Sequence, residues 1–96
     1  MYNATLMHPK DDVATVTVPI VRGDTVTLSR DGEDLTVTAR TDIPQYHKIA
    51  LRDIPFGASV HKYGEHIGFA TAPISTGEHV HTQNLSSIAP QGGEGA

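Results

Sequence analysis

Apolar and polar residues alternate with a period of two along most of the chain, a pattern typical of β-strands that bury one face. In the run VATVTV, for example, Ala14, Val16 and Val18 share one face, and Thr15 and Thr17 share the other. The pattern predicts strands in the runs VATVTV (13–18), DTVTL (24–28), DLTVTAR (34–40), HKIAL (47–51), ASVHK (58–62), IGFAT (67–71) and EHVHTQNL (78–85). Turn-forming residues separate these runs, and no helical period persists. Many short strands at close spacing predict an all-β domain.

One short pattern, Ile-x-x-Gly-x-x-Val, occurs three times, beginning at Ile20, Ile54 and Ile74. The last two copies also share the histidine that follows the valine. We interpret each copy as a corner: the isoleucine borders a strand, the middle residues form a tight turn, and the glycine adopts a positive φ. The valine then begins the next strand and returns to the core. For the copy at Ile20, a generic β-turn pattern explains the residues equally well.

Composition limits the class of protein. A chain of 96 residues allows one small domain, and the absence of cysteine excludes disulfides and thiolate zinc sites. With a net charge of −4 and scattered Lys and Arg residues, the chain offers no surface for nucleic acid. There is no apolar run of membrane-spanning length and no signal peptide at the N-terminus, so we expect no membrane contact and a cytoplasmic location.

The composition changes after Leu85, because the remaining segment SSIAPQGGEGA is rich in Gly, Ser, Pro and Gln. This composition predicts a folded domain over residues 1–85 and a flexible tail over residues 86–96. Because the sequence begins with Met1, we expect a complete short protein.

Histidine is the residue type that suggests chemistry, since the chain has six histidines but no tryptophan. His79 and His81 lie two residues apart, so on a strand both rings would leave one face, with Gln83 next in line. Such a pair can chelate a divalent metal if other ligands come from elsewhere, or it can simply form the polar face of an edge strand. Similarly, His47 and Lys48 could hold a carboxylate and move a proton, or be a solvated pair.

The segment from Ile43 to Leu85 resembles the small SAF domain of the altronate and galactarate dehydratase family, which also occurs as a separate subunit in the related sulfolactate sulfo-lyase. Three blocks carry the resemblance: IP followed by HKIAL and DI (43–54), KYG with IG (62–68), and GEHVH with NL (77–85). The family usually has Gly before the His-Lys pair, where this chain has Tyr46. Its last block commonly continues with a third histidine, at the place of Gln83.

The resemblance implies a compact β-clip fold, like that of antifreeze type III modules, and a large catalytic partner subunit. The implied reaction is the elimination of water from a sugar acid, in which a divalent cation stabilises the enediolate while a base and an acid transfer protons. The metal would be Fe²⁺, Mn²⁺ or Mg²⁺, held only when the partner is present, and a homo-oligomer is also compatible. The implied site residues are His47 and Lys48 for catalysis, Lys62, Tyr63 and Asn84 for substrate binding, and His79 and His81 for the metal.

Two other functions stay open at this point. The chain could be a stand-alone SAF module without catalytic activity that binds a small anionic sugar or mediates assembly. It could also be an independent metal-binding protein that uses the His-x-His strand.

Overall fold

The computed structural model describes residues 1–90, and these residues form strands connected by turns, without a helix. The strands are β1 (Ala4–Thr5), β2 (Val13–Val16), β3 (Thr25–Arg30), β4 (Glu33–Thr38), β5 (Lys48–Ala50), β6 (Ser59–Lys62), β7 (Glu65–Ala70), β8 (His79–Val80) and β9 (Leu85–Ser86). The prediction of an all-β domain is confirmed. β9 extends into the first residue of the predicted tail, and residues 91–96 of that tail lie outside the described residues.

The strands form three small antiparallel sheets. β1, β2, β5 and β8 make a four-stranded sheet in the order β1-β2-β5-β8, β3 and β4 make a hairpin, and β6, β7 and β9 make a three-stranded sheet. This division into short sheets joined by tight corners is consistent with a small β-clip. Within residues 1–90 there is no helix long and apolar enough to span a bilayer.

The three predicted corners are confirmed by their backbone conformation. Gly23, Gly57 and Gly77 have φ values of 95°, 83° and 93°, in the region that side chains resist. In each corner the glycine is the third residue of a turn that is closed by a hydrogen bond of 2.9 to 3.1 Å, as in type II turns. The isoleucine and valine of every copy are buried, as the corner model requires.

A fourth corner begins at Ile43, where the sequence reads IPQYHKI. His47 donates its N–H to the Pro44 carbonyl at 3.0 Å, and the N–H of Tyr46 bonds to the Val16 carbonyl, as the glycine N–H of each other corner bonds to a strand carbonyl. Tyr46 stands at the glycine position with a φ of 69°. Sequence reasoning missed this corner because tyrosine replaces the residue that marks the pattern.

The four corners form two hydrogen-bonded pairs, and these pairs divide the fold into two similar halves. Ile20 and Ile43 exchange backbone hydrogen bonds of 2.8 and 2.9 Å, and Ile54 and Ile74 do so at 2.8 Å. Each half also contains one hairpin, and the two central residues of each hairpin turn have positive φ: Asp31 and Gly32 in the β3–β4 turn, Tyr63 and Gly64 in the β6–β7 turn. Such turns match the twist of paired strands.

Each half has its own hydrophobic core, and the central strands β2 and β5 contribute to both. Alternation along β2 places Ala14 in the first core and Val13 in the second, while β5 places Ile49 in the first and Ala50 in the second. The two strands are paired in the middle of the four-stranded sheet. Each core therefore contains residues from both β2 and β5.

The predicted strand EHVHTQNL is wrong in its extent. β8 ends at Val80, residues 82–84 form a turn, and β9 begins at Leu85. The side chain of Asn84 causes the break because it accepts the N–H of His81 at 3.0 Å, a local bond that competes with strand pairing. The run VATVTV is also shorter than predicted, since β2 ends at Val16 and Val18 is exposed.

Candidate metal centre

Three histidines from two distant segments meet at one edge of the four-stranded sheet. β5 and β8 pair antiparallel with Ile49 opposite His79, so His47, two residues before Ile49, comes to lie beside His81, two residues after His79. Residues two apart on a strand, and residues opposite each other, share a face. His47 directly follows the turn at Tyr46 and precedes β5. His79 follows the Gly77 corner and is the first residue of β8.

The three imidazoles form a compact cluster. One nitrogen from each of His47, His79 and His81 lies within 4.8 Å of the others, and all three rings are half-buried. Nδ1 of His47 lies 2.8 Å from Nε2 of His79, and the His47 and His81 ring centroids are 4.5 Å apart. Two imidazole nitrogens on one tetrahedral ion lie roughly 3.3 Å apart, so the cluster is of the size that a single divalent ion requires.

The surroundings of His79 favour the neutral form of its ring. Burial lowers the pKa of His79, and the nearby charges of His47, His81 and Lys48 lower that pKa further. A neutral imidazole is the form that binds metal. The spacing of the donor set therefore fits a divalent transition metal, and the lowered pKa of His79 favours the form of this ring that binds an ion.

Polar groups behind the cluster fix the chain that carries it. The Thr41 hydroxyl accepts the backbone N–H of His79 at 3.1 Å, and the Asn84 amide donates to the His79 carbonyl at 2.8 Å. Because Asn84 also accepts from His81, both ends of its amide hold this segment in place. Gln83, the position of the family's third histidine, lies 3.3 Å from Nδ1 of His79 and donates to the His79 carbonyl at 3.2 Å.

The predicted lysines lie on other strand positions. Lys48 follows His47 and is opposite Val80, so strand alternation turns it away from the face that carries the histidines. Burial lowers the pKa of Lys48, and the charge of Lys62 lowers it further, so these two lysines are neighbours. The Lys62 ammonium lies 5.1 Å from the centre of the Tyr63 ring.

Comparison of the sequence with known proteins identifies a family. The sequence profile of the altronate/galactarate dehydratase SAF domain matches residues 2–88. The chain belongs to this SAF-domain family.

Individual relatives differ greatly in length. Altronate dehydratase of Escherichia coli (strain K12) is 42% identical over 78 residues, which are 81% of this chain but 15% of the relative. The (2R)-sulfolactate sulfo-lyase subunit alpha of Paracoccus pantotrophus is 42% identical over 60 residues, 62% of this chain and 90% of the relative. The same subunit of Chromohalobacter salexigens is 33% identical over 86 residues, 85% of this chain and 92% of the relative.

The predicted site residues of this SAF domain fall into two groups. His79 and His81, predicted as metal ligands, cluster with His47, which was predicted to act in acid–base catalysis. A shared role for His47 was missed because its partners lie more than thirty positions further along the chain, and only the β5–β8 register brings them together. Lys48 and Lys62 form the second group, and the roles assigned to all these residues stay predictions.

Proposed function

We propose that this chain is the small subunit of a sugar-acid lyase and contributes its histidine cluster to an active site shared with a large catalytic subunit. The observation that carries the proposal is the convergence of three half-buried histidines at one sheet edge. The relatives support it: this chain corresponds to 15% of an altronate dehydratase and to 90% of a sulfo-lyase alpha subunit. The groups that complete the reaction would therefore come from a second chain.

We propose that His47, His79 and His81 hold a divalent metal ion. When bound, such an ion supplies Lewis-acid stabilisation for the negative charge that develops on a carboxylate substrate. The lowered pKa of His79 keeps this ring ready to accept an ion or a proton near neutral pH. Asn84 and Thr41 position the cluster by holding the backbone of the segment that carries His79.

The substrate class is a small hydroxy acid, and the lysines support this assignment. Lys48 and Lys62 are near enough for one positive charge to lower the pKa of the other side chain. A bound carboxylate would neutralise this repulsion. Lys48 also lowers the pKa of His79, so a substrate acid held by the lysines would lie within the electrostatic reach of the histidine cluster.

Reconstitution of the complex tests the proposal. The chain is co-expressed with a candidate large catalytic subunit of the dehydratase type, and the purified complex is assayed for elimination from altronate, galactarate and (2R)-sulfolactate. We expect His47→Gln to lower turnover by about 10²-fold, the usual contribution of a positioned acid–base or ligand group. The matched control is His66→Gln, which removes an exposed histidine from β7 outside the cluster and should leave turnover unchanged.

Two results would contradict the proposal. Near-normal turnover in His47→Gln with an intact complex would remove the cluster from the reaction. Binding of a sugar acid by the isolated chain, without any partner and without elimination, would favour the stand-alone SAF module instead.

A further inference from the structure

A second group of ionisable side chains surrounds Asp12, away from the histidine cluster. The Asp12 side chain is only 8% exposed. Its Oδ1 accepts from Nε of Arg52, and its Oδ2 accepts the backbone N–H of His61 at 2.8 Å and contacts Nδ1 of that ring at 3.0 Å. Burial raises the pKa of Asp12, but the bonds from Arg52 and His61 outweigh burial and lower it. A charged carboxylate is thus held behind the His61 ring.

This carboxylate fixes the orientation of His61. With Nδ1–H donated to Asp12, Nε2 is the nitrogen that remains for a ligand. The ring is 42% exposed, so one side contacts a buried anion and the other is open.

His61 lines a pocket of about 270 Å³ together with His8, Lys10 and Gly64. Nδ1 of His8 accepts the backbone N–H of Lys10 at 3.1 Å, which leaves Nε2 of neutral His8 as a donor. The His8 ring packs so closely on Gly64 that a Cβ there would lie 2.9 Å from its Cδ2. The pocket therefore depends on the hairpin glycine.

The charges around the pocket favour an anion over a cation. Lys10 is positive, and the guanidinium of Arg52 bonds to the Asp12 carboxylate that the His61 ring contacts. The nearest carboxylates are both occupied: Asp12 as described, and Asp11 by the backbone N–H groups of Tyr63 and Gly64 at 2.8 Å. None of the three clustered histidines lines this pocket.

We propose that this pocket is a second ligand site, which binds a small oxyanion through Lys10, His8 and the Asp12-supported imidazole of His61. The carboxylate, sulfonate and phosphate groups of small metabolites share this chemistry. The site stands on its own contacts and does not depend on the proposed lyase function. Asp12 holds the His61 ring in the orientation that presents Nε2 to the ligand.

Inorganic sulfate is a suitable probe because its charge stays constant across the range in which imidazole titrates. NMR titration of the ¹⁵N-labelled chain should show saturable shifts at the Gly64 amide and the His8 and His61 rings, with a Kd on the order of 1 mM. The groups around His61 are Asp12, Arg52, His66, His8 and Lys10. Titrations with acetate, methanesulfonate and phosphate then distinguish the three metabolite groups.

Paired variants test the residues. Lys10→Gln and His61→Gln should each weaken sulfate binding about tenfold, the equivalent of one charge-assisted hydrogen bond. Arg22→Gln removes the same charge from an exposed residue outside the pocket, so this variant should bind sulfate like the parent chain.

Equal weakening in Lys10→Gln and Arg22→Gln would show that sulfate responds only to overall charge, which would overturn the site. Shifts scattered over the surface, or none, would overturn it as well.

Discussion

At the scale of single residues, Tyr46 adopts a backbone conformation that glycine reaches far more easily. Its φ is 69°, while its ring is 69% exposed and lies outside the core. From the sequence, the bulk of the tyrosine is the expected difficulty at this position. The structure shows that the side chain has room and that the strain lies in the backbone.

Tyr46→Gly should therefore change the free energy of unfolding by less than about 1 kcal/mol. Release of left-handed strain, roughly 1 kcal/mol, offsets the extra entropy that glycine gives the unfolded chain. Urea denaturation measures the effect against Thr36→Gly, an exposed strand position in β4 where no such strain exists and a loss of about 1 kcal/mol is expected. Equal losses in the two variants would show that Tyr46 is unstrained.

Asp12 is the residue whose charge matters most for stability. Its pKa is lowered in the folded chain, so its contribution is fully present above the unfolded value of 3.8 and is lost as the pH falls through the lower folded value. Asp12→Asn should lower the free energy of unfolding at neutral pH by about 2 kcal/mol, because hydrogen bonds to charged partners are lost. Denaturation curves at falling pH should show the gap between variant and parent closing below about pH 4. A gap that stays constant would mean that the charge of Asp12 contributes nothing.

At the scale of elements, the corner pattern was readable from sequence because a glycine, an isoleucine and a valine at fixed spacing record both the turn and the burial. The end of β8 could not be predicted from the sequence. HVHTQN alternates like a strand, but the Asn84 side chain bonds to the backbone at His81 and closes a turn instead. The alternation of apolar and polar residues does not show that a side chain will bond to the backbone and compete with strand pairing.

The corners differ in how much space surrounds the glycine. A Cβ added to Gly23 meets nothing within 4 Å, whereas one added to Gly77 would overlap the Thr38 carbonyl. Both glycines have positive φ, so Gly23→Ala should cost about 1 kcal/mol of unfolding free energy from strain alone. Gly77→Ala should cost about 2 to 4 kcal/mol because overpacking adds to the strain.

Thermal unfolding of the two alanine variants measures this difference. Because Gly77 introduces β8, the costlier variant should also weaken metal binding by the cluster. Equal melting temperatures would show that the Thr38 backbone moves aside without loss.

At the scale of the whole molecule, the histidine cluster joins the corner that begins at Ile43 to the corner that begins at Ile74. The strand periods predicted which histidines would share a face on one strand. They could not predict that His47 meets His79, since that contact depends on the pairing of β5 with β8. The strand patterns alone thus identify the residues separately, and the pairing of β5 with β8 supplies their contact.

A metal held across this junction should stabilise the entire fold. At an excess of about 100 times the Kd, Co²⁺ or Zn²⁺ should add about 2.7 kcal/mol, which raises the Tm by roughly 10 to 20 °C for a chain of this size. Calorimetry with and without metal measures the shift, and a chelator should reverse it. His79→Gln should abolish the gain, while His66→Gln should retain it.

The pH dependence of this stabilisation follows from the lowered pKa of His79. Since the folded pKa lies below that of the unfolded ring, protonation favours unfolding, and the apo chain should lose stability as the pH falls through the imidazole range. Metal affinity should fall over the same range because the ion competes with protons. A metal gain that is independent of pH would exclude imidazole ligands.

The sharing of β2 and β5 between the two cores has a consequence for synthesis. A nascent chain that has emerged only as far as Tyr46 lacks β5, and so lacks one of the two strands that pair with β2 and the Ile49 side chain of the first core. No half can reach a stable state ahead of the other, so the ribosome must release most of the chain before any part folds. Folding should accordingly occur in one cooperative step, without a partly folded intermediate for proteases to attack.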